Sequence, residues 1–334
     1  MLPKVLIAPA PMREIPQSYA PVLESNFELV YPVRLAQMTV PELLEQLPGC
    51  VASLAGSEPY SRDVIEKAAA AGWKVIARAG VGFDGVDLRA ATDCGVVVTF
   101  APGTNHDAVA EHALLLMLAL AKNLTMQHNR IKDGALPRVA QMPLRGRLLG
   151  IIGLGRTGKA VALRAKAFLM PILACDPYID GAWAKEHGIS MVSHDEIFER
   201  ADIVSLHVPK TAETHNLICE RTLNRMKPTA HLINTSRGEV VHEADLFDAL
   251  KSKRIAAAGL DVFVDEPPVG TPLLTLENVL LTAHTAGVDV QSRLDMANMA
   301  AVGIHKLLVE KSWPQEMIVN PEVWEKWSKA SGTA

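Results

Sequence analysis

The chain has 334 residues, too many for one ordinary domain of roughly 100 to 150 and about right for two, which would create a cleft. With 49% hydrophobic and 21% charged residues it has ample material for packed cores and no signature of disorder. A formal charge of -4, no basic run and no zinc-type Cys/His spacing argue against nucleic acid as the main partner; the longest apolar stretch, Ala113 to Ala121, falls short of the roughly 20 residues of a membrane span.

From the N-terminus, Met1 to Ala10 holds Pro3 and Pro9, lacks a signal-peptide layout and reads as the first strand. Short β-branched runs then alternate with helical patterns along the whole chain, a rhythm that calls for parallel sheet covered by helices, the α/β class. The first hundred residues predict strands at Lys4 to Ala8, Glu28 to Tyr31, Val51 to Leu54, Lys74 to Ala77 and Val96 to Thr99. Between them lie helices such as Ser61 to Ala71, closed by Gly72. A long apolar helix, Asn105 to Lys122, and a polar irregular stretch, Asn123 to Arg147, separate these from a second series. That series predicts strands at Leu148 to Ile152, Ile172 to Cys175, Asp202 to Leu206, His231 to Asn234, Ala257 to Leu260 and Val279 to Leu281, the six of a dinucleotide-binding sheet. The tail, Val290 to Glu310, reads as one helix expected to return to the first domain and make it discontinuous. Four scattered cysteines, Cys50, Cys94, Cys175 and Cys219, fit a reducing cytoplasmic compartment, with Cys175 read as a buried inert thiol.

The pattern G-x-G-x-x-G occurs twice, at Gly80 to Gly85 and at Gly153 to Gly158, and by itself decides nothing. The first copy precedes a short helix, and the next strand ends in Thr99 and Phe100 without a carboxylate. Around the second, Leu149 to Ile152 supplies the strand, Arg156 to Phe168 the helix, and Asp176 stands 18 residues past Gly158 at the next strand end. There Gly153 permits the tight turn, Gly155 lets backbone approach a pyrophosphate, and Gly158 allows helix to pack on strand. Arg156 and Thr157 open the helix, whose N-terminal N–H groups suit an anion. Asp176 is expected to accept hydrogen bonds from ribose hydroxyls and to repel a 2'-phosphate, which favours NAD over NADP.

Downstream, three segments each follow a strand end, where open α/β sheets bind ligands: Asn234 to Gly238, Asp261 to Pro267 and Thr282 to Gly287. They carry Arg237, Glu266 and His284. Reduction of a 2-oxo acid needs a fixed cation for the carboxylate and an acid for the carbonyl oxygen. Arginine offers a permanent planar fork, and histidine beside a carboxylate can give and retake a proton near neutrality.

With Arg78-Ala79-Gly80-Val81-Gly82, Val86-Asp87-Leu88, Ala110-Glu111-His112 and Leu206-His207-Val208-Pro209 added, the chain over nearly its full length resembles the D-isomer-specific 2-hydroxyacid dehydrogenases, most closely their phosphoglycerate dehydrogenase branch. The resemblance implies two doubly wound parallel-sheet domains, a Rossmann NAD-binding domain of residues 102–287 and a flavodoxin-like substrate domain of residues 1–101 and 288–334. It also implies that Arg237 grips the substrate, His284 is the acid/base and Glu266 orients it. Backbone around Gly80, Val81 and Gly82 would hold the substrate carboxylate, Asp261 would meet the nicotinamide amide, and Val208 and Thr235 would line the cofactor. No metal is expected, and the helix Asn105 to Lys122 with the stretch after it is the expected homodimer contact. Where phosphoglycerate dehydrogenases carry an Arg-Ser pair for the substrate phosphate, this chain has Ala55-Gly56, with Glu58 close by as a repelling charge if it faces the cleft. No regulatory C-terminal domain is expected. Glyoxylate-, hydroxypyruvate- or lactate-type substrates are therefore preferred over 3-phosphoglycerate, and a non-catalytic NADH-sensing corepressor is the alternative from another class.

Overall fold

The computed structural model describes residues 1–32, 37–178 and 181–331. The chain forms two compact units, one of Met1–Asn105 with Val290–Ala334 and the other of His106–Asp289. The last three residues, which include the expected end of the first domain at Ala334, lie outside the described residues.

In the first unit the strands are β1 (Lys4–Ile7), β2 (Glu28–Val30), β3 (Cys50–Ala55), β4 (Val75–Arg78) and β5 (Val97–Thr99), all parallel in the order β2-β1-β3-β4-β5. That is the flavodoxin-like winding. Val5, Leu6, Ile7, Val75, Ile76 and Ala77 are fully buried, because helices cover both faces of a parallel sheet and leave no polar side. The helix Val290–Leu308 packs on β3 and β4, and Asn320 ties the tail to β5, its side chain accepting from Val98 N at 2.9 Å and donating to Val96 O at 3.0 Å.

The second unit has β6 (Leu149–Ile152), β7 (Ile172–Cys175), β8 (Ser190–Met191), β9 (Ile203–Leu206), β10 (His231–Asn234), β11 (Ala257–Leu260) and β12 (Val279–Leu281). Their order, β12-β11-β10-β9-β6-β7-β8, is the dinucleotide-binding winding with one strand added beyond β11. The order reverses between β6 and β9, so the crevice of the topological switch point opens above the carboxyl ends of those two strands.

Two sequence-based expectations need correction. Strand β8 was not anticipated; two residues at a sheet edge, one exposed, are too few to show a period. The stretch after Asn123, expected to be irregular, contains the helix Leu124–Lys132, which buries none of its residues and so carries no apolar stripe to announce it. No single helix among the described residues is long and apolar enough to cross a membrane. The apolar His106–Ala121 packs instead against the helix Arg156–Ala167 and strands β10 and β11.

Candidate active site

Three consecutive strands, β10, β11 and β12, carry the candidate catalytic residues just past their carboxyl ends. Neighbouring strands lie about 4.8 Å apart, so the topology alone gathers the three segments.

After β10 the turn is organised by Asn234, whose Oδ1 accepts from Ser236 N at 3.0 Å and Ser236 Oγ at 2.7 Å while its Nδ2 donates to Arg237 O at 2.8 Å. Arg237 is half-buried, and its Nη1 donates to Ser236 O at 2.7 Å. Gly238 comes so close to the next segment that a Cβ there would sit 2.0 Å from the carbonyl carbon of Phe263. Only glycine lets the Arg237 turn lie against the segment that bears Glu266.

Glu266 bridges two partners, Oε1 accepting from Phe263 N at 3.1 Å and Oε2 from the His284 ring at 2.7 Å. An ionised carboxylate only accepts, so Nδ1 of His284 carries a proton. Nε2, on the other side of a half-exposed ring, makes no hydrogen bond among the described residues and is the atom left to exchange a proton. His284 itself sits at φ 53°, in the left-handed region. A residue with a β-carbon there costs about 1–2 kcal/mol and needs its surroundings to hold it.

Asp261, fully buried at the end of β11, does much of that holding: its carboxylate accepts from Thr282 Oγ1 at 2.6 Å, Thr285 N at 3.0 Å and Ala286 N at 2.9 Å. A carboxylate has about four acceptor positions, so one is left over for an amide donor such as that of nicotinamide. The sequence assigns Asp261 to the cofactor alone; its grip on the His284 segment and the contacts of Asn234, Gly238 and Thr282 emerge only from the structure. Their only sequence signal is membership in the same short motifs.

The glycine turn after β6 is shaped for a dinucleotide. Gly153 has φ 94°, and a Cβ on it would meet His207 O at 2.6 Å and Val208 Cγ1 at 2.9 Å. On Gly158 a Cβ would lie 2.0 Å from Gly153 O, while on Gly155 it would meet nothing within 4 Å. So Gly153 and Gly158 close the turn onto its strand and helix, and Gly155 leaves open room. Gly155 is also the N-cap of the helix Arg156–Ala167 and supplies no side-chain acceptor, which leaves the N–H groups of the first turn, at Arg156 and Thr157, for an anion. Asp176 accepts from Leu154 N at 2.8 Å and Tyr178 N at 2.9 Å, fixing the carboxylate at the end of β7 with acceptor positions to spare. Thr235 is buried, and its Oγ1 has no partner among the described residues, an unfilled polar position of the kind a bound ligand satisfies. These residues fit NAD. They would hold its pyrophosphate at Gly155 to Thr157, its adenosine ribose at Asp176 and its nicotinamide end near Thr235 and Asp261.

In the first unit, Gly80 O accepts from Ala101 N at 2.9 Å and Gly82 O from Arg78 Nε at 2.9 Å, which sets the turn around Val81. Glu58 is turned inward and buried, its Oε2 accepting from Gly56 N at 2.6 Å. Burial raises its carboxyl above the usual range, against the lowering effect of backbone donors and Arg78.

Residues 114–286 match the family model of the D-isomer specific 2-hydroxyacid dehydrogenase, NAD binding domain. The chain is 39% identical over 310 residues to a glyoxylate reductase of Korarchaeum cryptofilum, covering 90% of this chain and 91% of that one. It is 41% identical over 275 residues to a D-3-phosphoglycerate dehydrogenase of Methanocaldococcus jannaschii, covering 81% of this chain but only 52% of the relative. Among solved structures it is similar to a D-lactate dehydrogenase of Aquifex aeolicus complexed with NAD and lactic acid, with a TM-score of 0.83, 28% identity, and coverage of 95% of this chain and 99% of that chain. The chain belongs to the D-isomer-specific 2-hydroxyacid dehydrogenases and is an NAD-dependent oxidoreductase of that family.

Proposed function

We propose that the chain interconverts a small D-2-hydroxy acid and its 2-oxo acid, with Arg237, Glu266 and His284 as the working side chains. The observation that carries this reading is the 2.7 Å contact of Glu266 with His284 Nδ1, which leaves Nε2 free. When bound, the nicotinamide cofactor would supply the hydride as NADH, or accept it as NAD+, at the carbon bearing the oxygen. In the reducing direction a charged His284 donates its Nε2 proton to the carbonyl oxygen, and Glu266 stabilises the imidazolium; in the oxidising direction neutral Nε2 takes the hydroxyl proton. The Arg237 guanidinium holds the carboxylate and polarises the carbonyl through paired charge-assisted hydrogen bonds. Backbone N–H groups of Gly80, Val81 and Gly82 are assigned to the substrate carboxylate on the family likeness alone.

Glyoxylate-, hydroxypyruvate- and lactate-type acids are the preferred substrates. The phosphoglycerate dehydrogenase relatives favour 3-phosphoglycerate as a second reading, but Ala55-Gly56 offers no phosphate ligand. We assign a homodimer, supported by Leu115, Leu124, Met126, Ile131, Leu136 and Val139, which stand exposed along His106–Ala121 and the stretch after it. Light scattering near twice 36.1 kDa would support it and a monomer mass would refute it. Free thiols at all four cysteines support a cytoplasmic setting.

The test is steady-state kinetics of two variants with a 2-oxo acid and NADH. His284→Ala should lower kcat by about 100- to 10,000-fold. Arg237→Lys keeps the charge but loses the fork, so KM should rise by about 10- to 100-fold. Full activity of His284→Ala at neutral pH would reject the acid/base role.

A further inference from the structure

We propose that His112 and Thr282 are positioning residues that act through Asp261 to hold His284 in the left-handed turn from which its ring meets Glu266. This inference rests on the acid/base reading of His284 and extends it to a helix that carries none of the assigned chemistry.

The backbone at His284 adopts φ 53°, a conformation that persists for a non-glycine residue only where its neighbours over-determine it. Three successive amides do so by pointing at one residue: His284 N donates to Asp261 O at 2.8 Å, Thr285 N to Oδ1 at 3.0 Å and Ala286 N to Oδ2 at 2.9 Å. Consecutive N–H groups around an anion form a nest, and the anion fixes the turn as much as the turn binds the anion.

Proton direction then follows from the inventory of donors. The buried Asp261 carboxylate only accepts, so the single hydroxyl proton of Thr282 goes to Oδ1 across 2.6 Å. His112 Nε2 lies 2.9 Å from that hydroxyl oxygen and must therefore donate to it, which means that Nε2 carries a proton. The same nitrogen stands 3.5 Å from Asp261 Oδ1, so the His112 ring lies beside the carboxylate that it supports through Thr282. His112 stands on His106–Ala121, the helix packed against β10 and β11, so the chain from His112 to Thr282 to Asp261 anchors the His284 turn to the interior of the unit. Without the Thr282 hydroxyl, the buried Oδ1 loses its shortest donor, where an unmade bond is costly, and the partly buried His112 loses its acceptor.

The experiment compares Thr282→Val, of the same shape without the hydroxyl, with Thr282→Ser, which restores it, and His112→Leu with His112→Gln, which keeps a donor. Circular dichroism checks that each is folded. Thr282→Val is expected to lower kcat by about 10- to 100-fold, the range for an unsatisfied buried partner, and Thr282→Ser to recover most of it. His112→Leu should show a smaller drop that His112→Gln reverses. A second readout is independent of turnover: in 15N-histidine spectra the hydrogen-bonded Nδ1–H signal of His284 should weaken or vanish in Thr282→Val and His112→Leu and return in their conservative partners. An unchanged His284 signal and kcat in folded Thr282→Val would overturn the proposal, and so would a Thr282→Ser no better than Thr282→Val. If the wild-type protein turned over no 2-oxo acid, the acid/base reading would fall, while the spectra would still decide whether His112 and Thr282 position the ring.

Discussion

The two G-x-G-x-x-G loops share a pattern and differ in almost everything that gives the pattern a use. At Gly153 the backbone turns with φ 94°, and a Cβ on the third glycine, Gly158, would press to within 2.0 Å of Gly153 O; a Cβ on the third glycine of the other copy, Gly85, would stand 3.2 Å from Glu58 O, and one on Gly80 meets only the end of the Arg78 side chain at 3.4 Å. After the second copy comes the 12-residue helix Arg156–Ala167, whose cap Gly155 lends no side chain. After the first comes the six-residue helix Leu88–Asp93, whose cap Asp87 already accepts from Ala90 N at 2.8 Å. A carboxylate seated at a helix N-terminus fills the place an anion would take and repels one that approaches. What separates a phosphate cradle from the loop assigned to the substrate carboxylate is thus the tighter packing of the third glycine and the emptiness of the cap.

Between the two loops the largest effect should come from Gly158→Ala, where a backbone carbonyl cannot yield as a side chain can. Overpacking of about 1–3 kcal/mol should appear as at least a tenfold loss of NAD affinity by titration, with a lowered Tm. Gly80→Ala should leave the NAD affinity within about twofold, since its new methyl meets one flexible side chain at ordinary contact distance. Equal losses in both variants would erase the distinction between the loops. Next, Asp176→Asn should narrow the NAD/NADP preference by about tenfold, or 1.4 kcal/mol, and an unchanged ratio would remove Asp176 from the ribose site. Asp87→Ala should cost about 1 kcal/mol of stability in denaturant titration through the lost cap and leave NAD binding untouched. A change in NAD affinity there would mean that the first loop takes part in binding the dinucleotide.

The smallest effect is on stability against pH. Burial pushes His207, whose carbonyl backs Gly153, and His231, on β10, down to about 4. Both folded-state values lie below the unfolded value near 6.5, so the unfolded chain takes up protons first as the pH falls. Stability from these groups is complete above about 6.5 and is lost progressively toward about 4. Between pH 7 and 6 the loss should be roughly 0.7 kcal/mol per histidine, seen as a lower denaturation midpoint of the cofactor-free protein. His231→Gln should reduce the slope; a stability that rises on acidification over this interval would contradict the assignment.

Much of the fold was legible because strands buried on both faces must read as short β-branched runs, as in Val97 to Thr99, and because turn glycines punctuate them. Strand β8 and the helix Leu124–Lys132 escaped for the opposite reason: neither buries enough side chain to impose a pattern. At the candidate site, Arg237, Glu266 and His284 stood out because their residue types name a chemistry. Asp261 was visible only as a carboxylate in a motif; that it clamps the His284 turn, and that His112 from a distant helix completes the clamp, depends on tertiary contacts between residues up to 170 positions apart. Asp87 as an occupied cap was equally invisible, since its reach to Ala90 N is a matter of backbone geometry.

The most direct measurement is NADH oxidation by purified wild-type protein across a panel of glyoxylate, hydroxypyruvate, pyruvate and 3-phosphohydroxypyruvate. A positive clamp beside a proton-donating imidazole predicts steady turnover of at least one unphosphorylated acid, in preference to the phosphorylated one. Stoichiometric NADH binding without turnover of any of them would contradict it and point to a sensor in place of an enzyme.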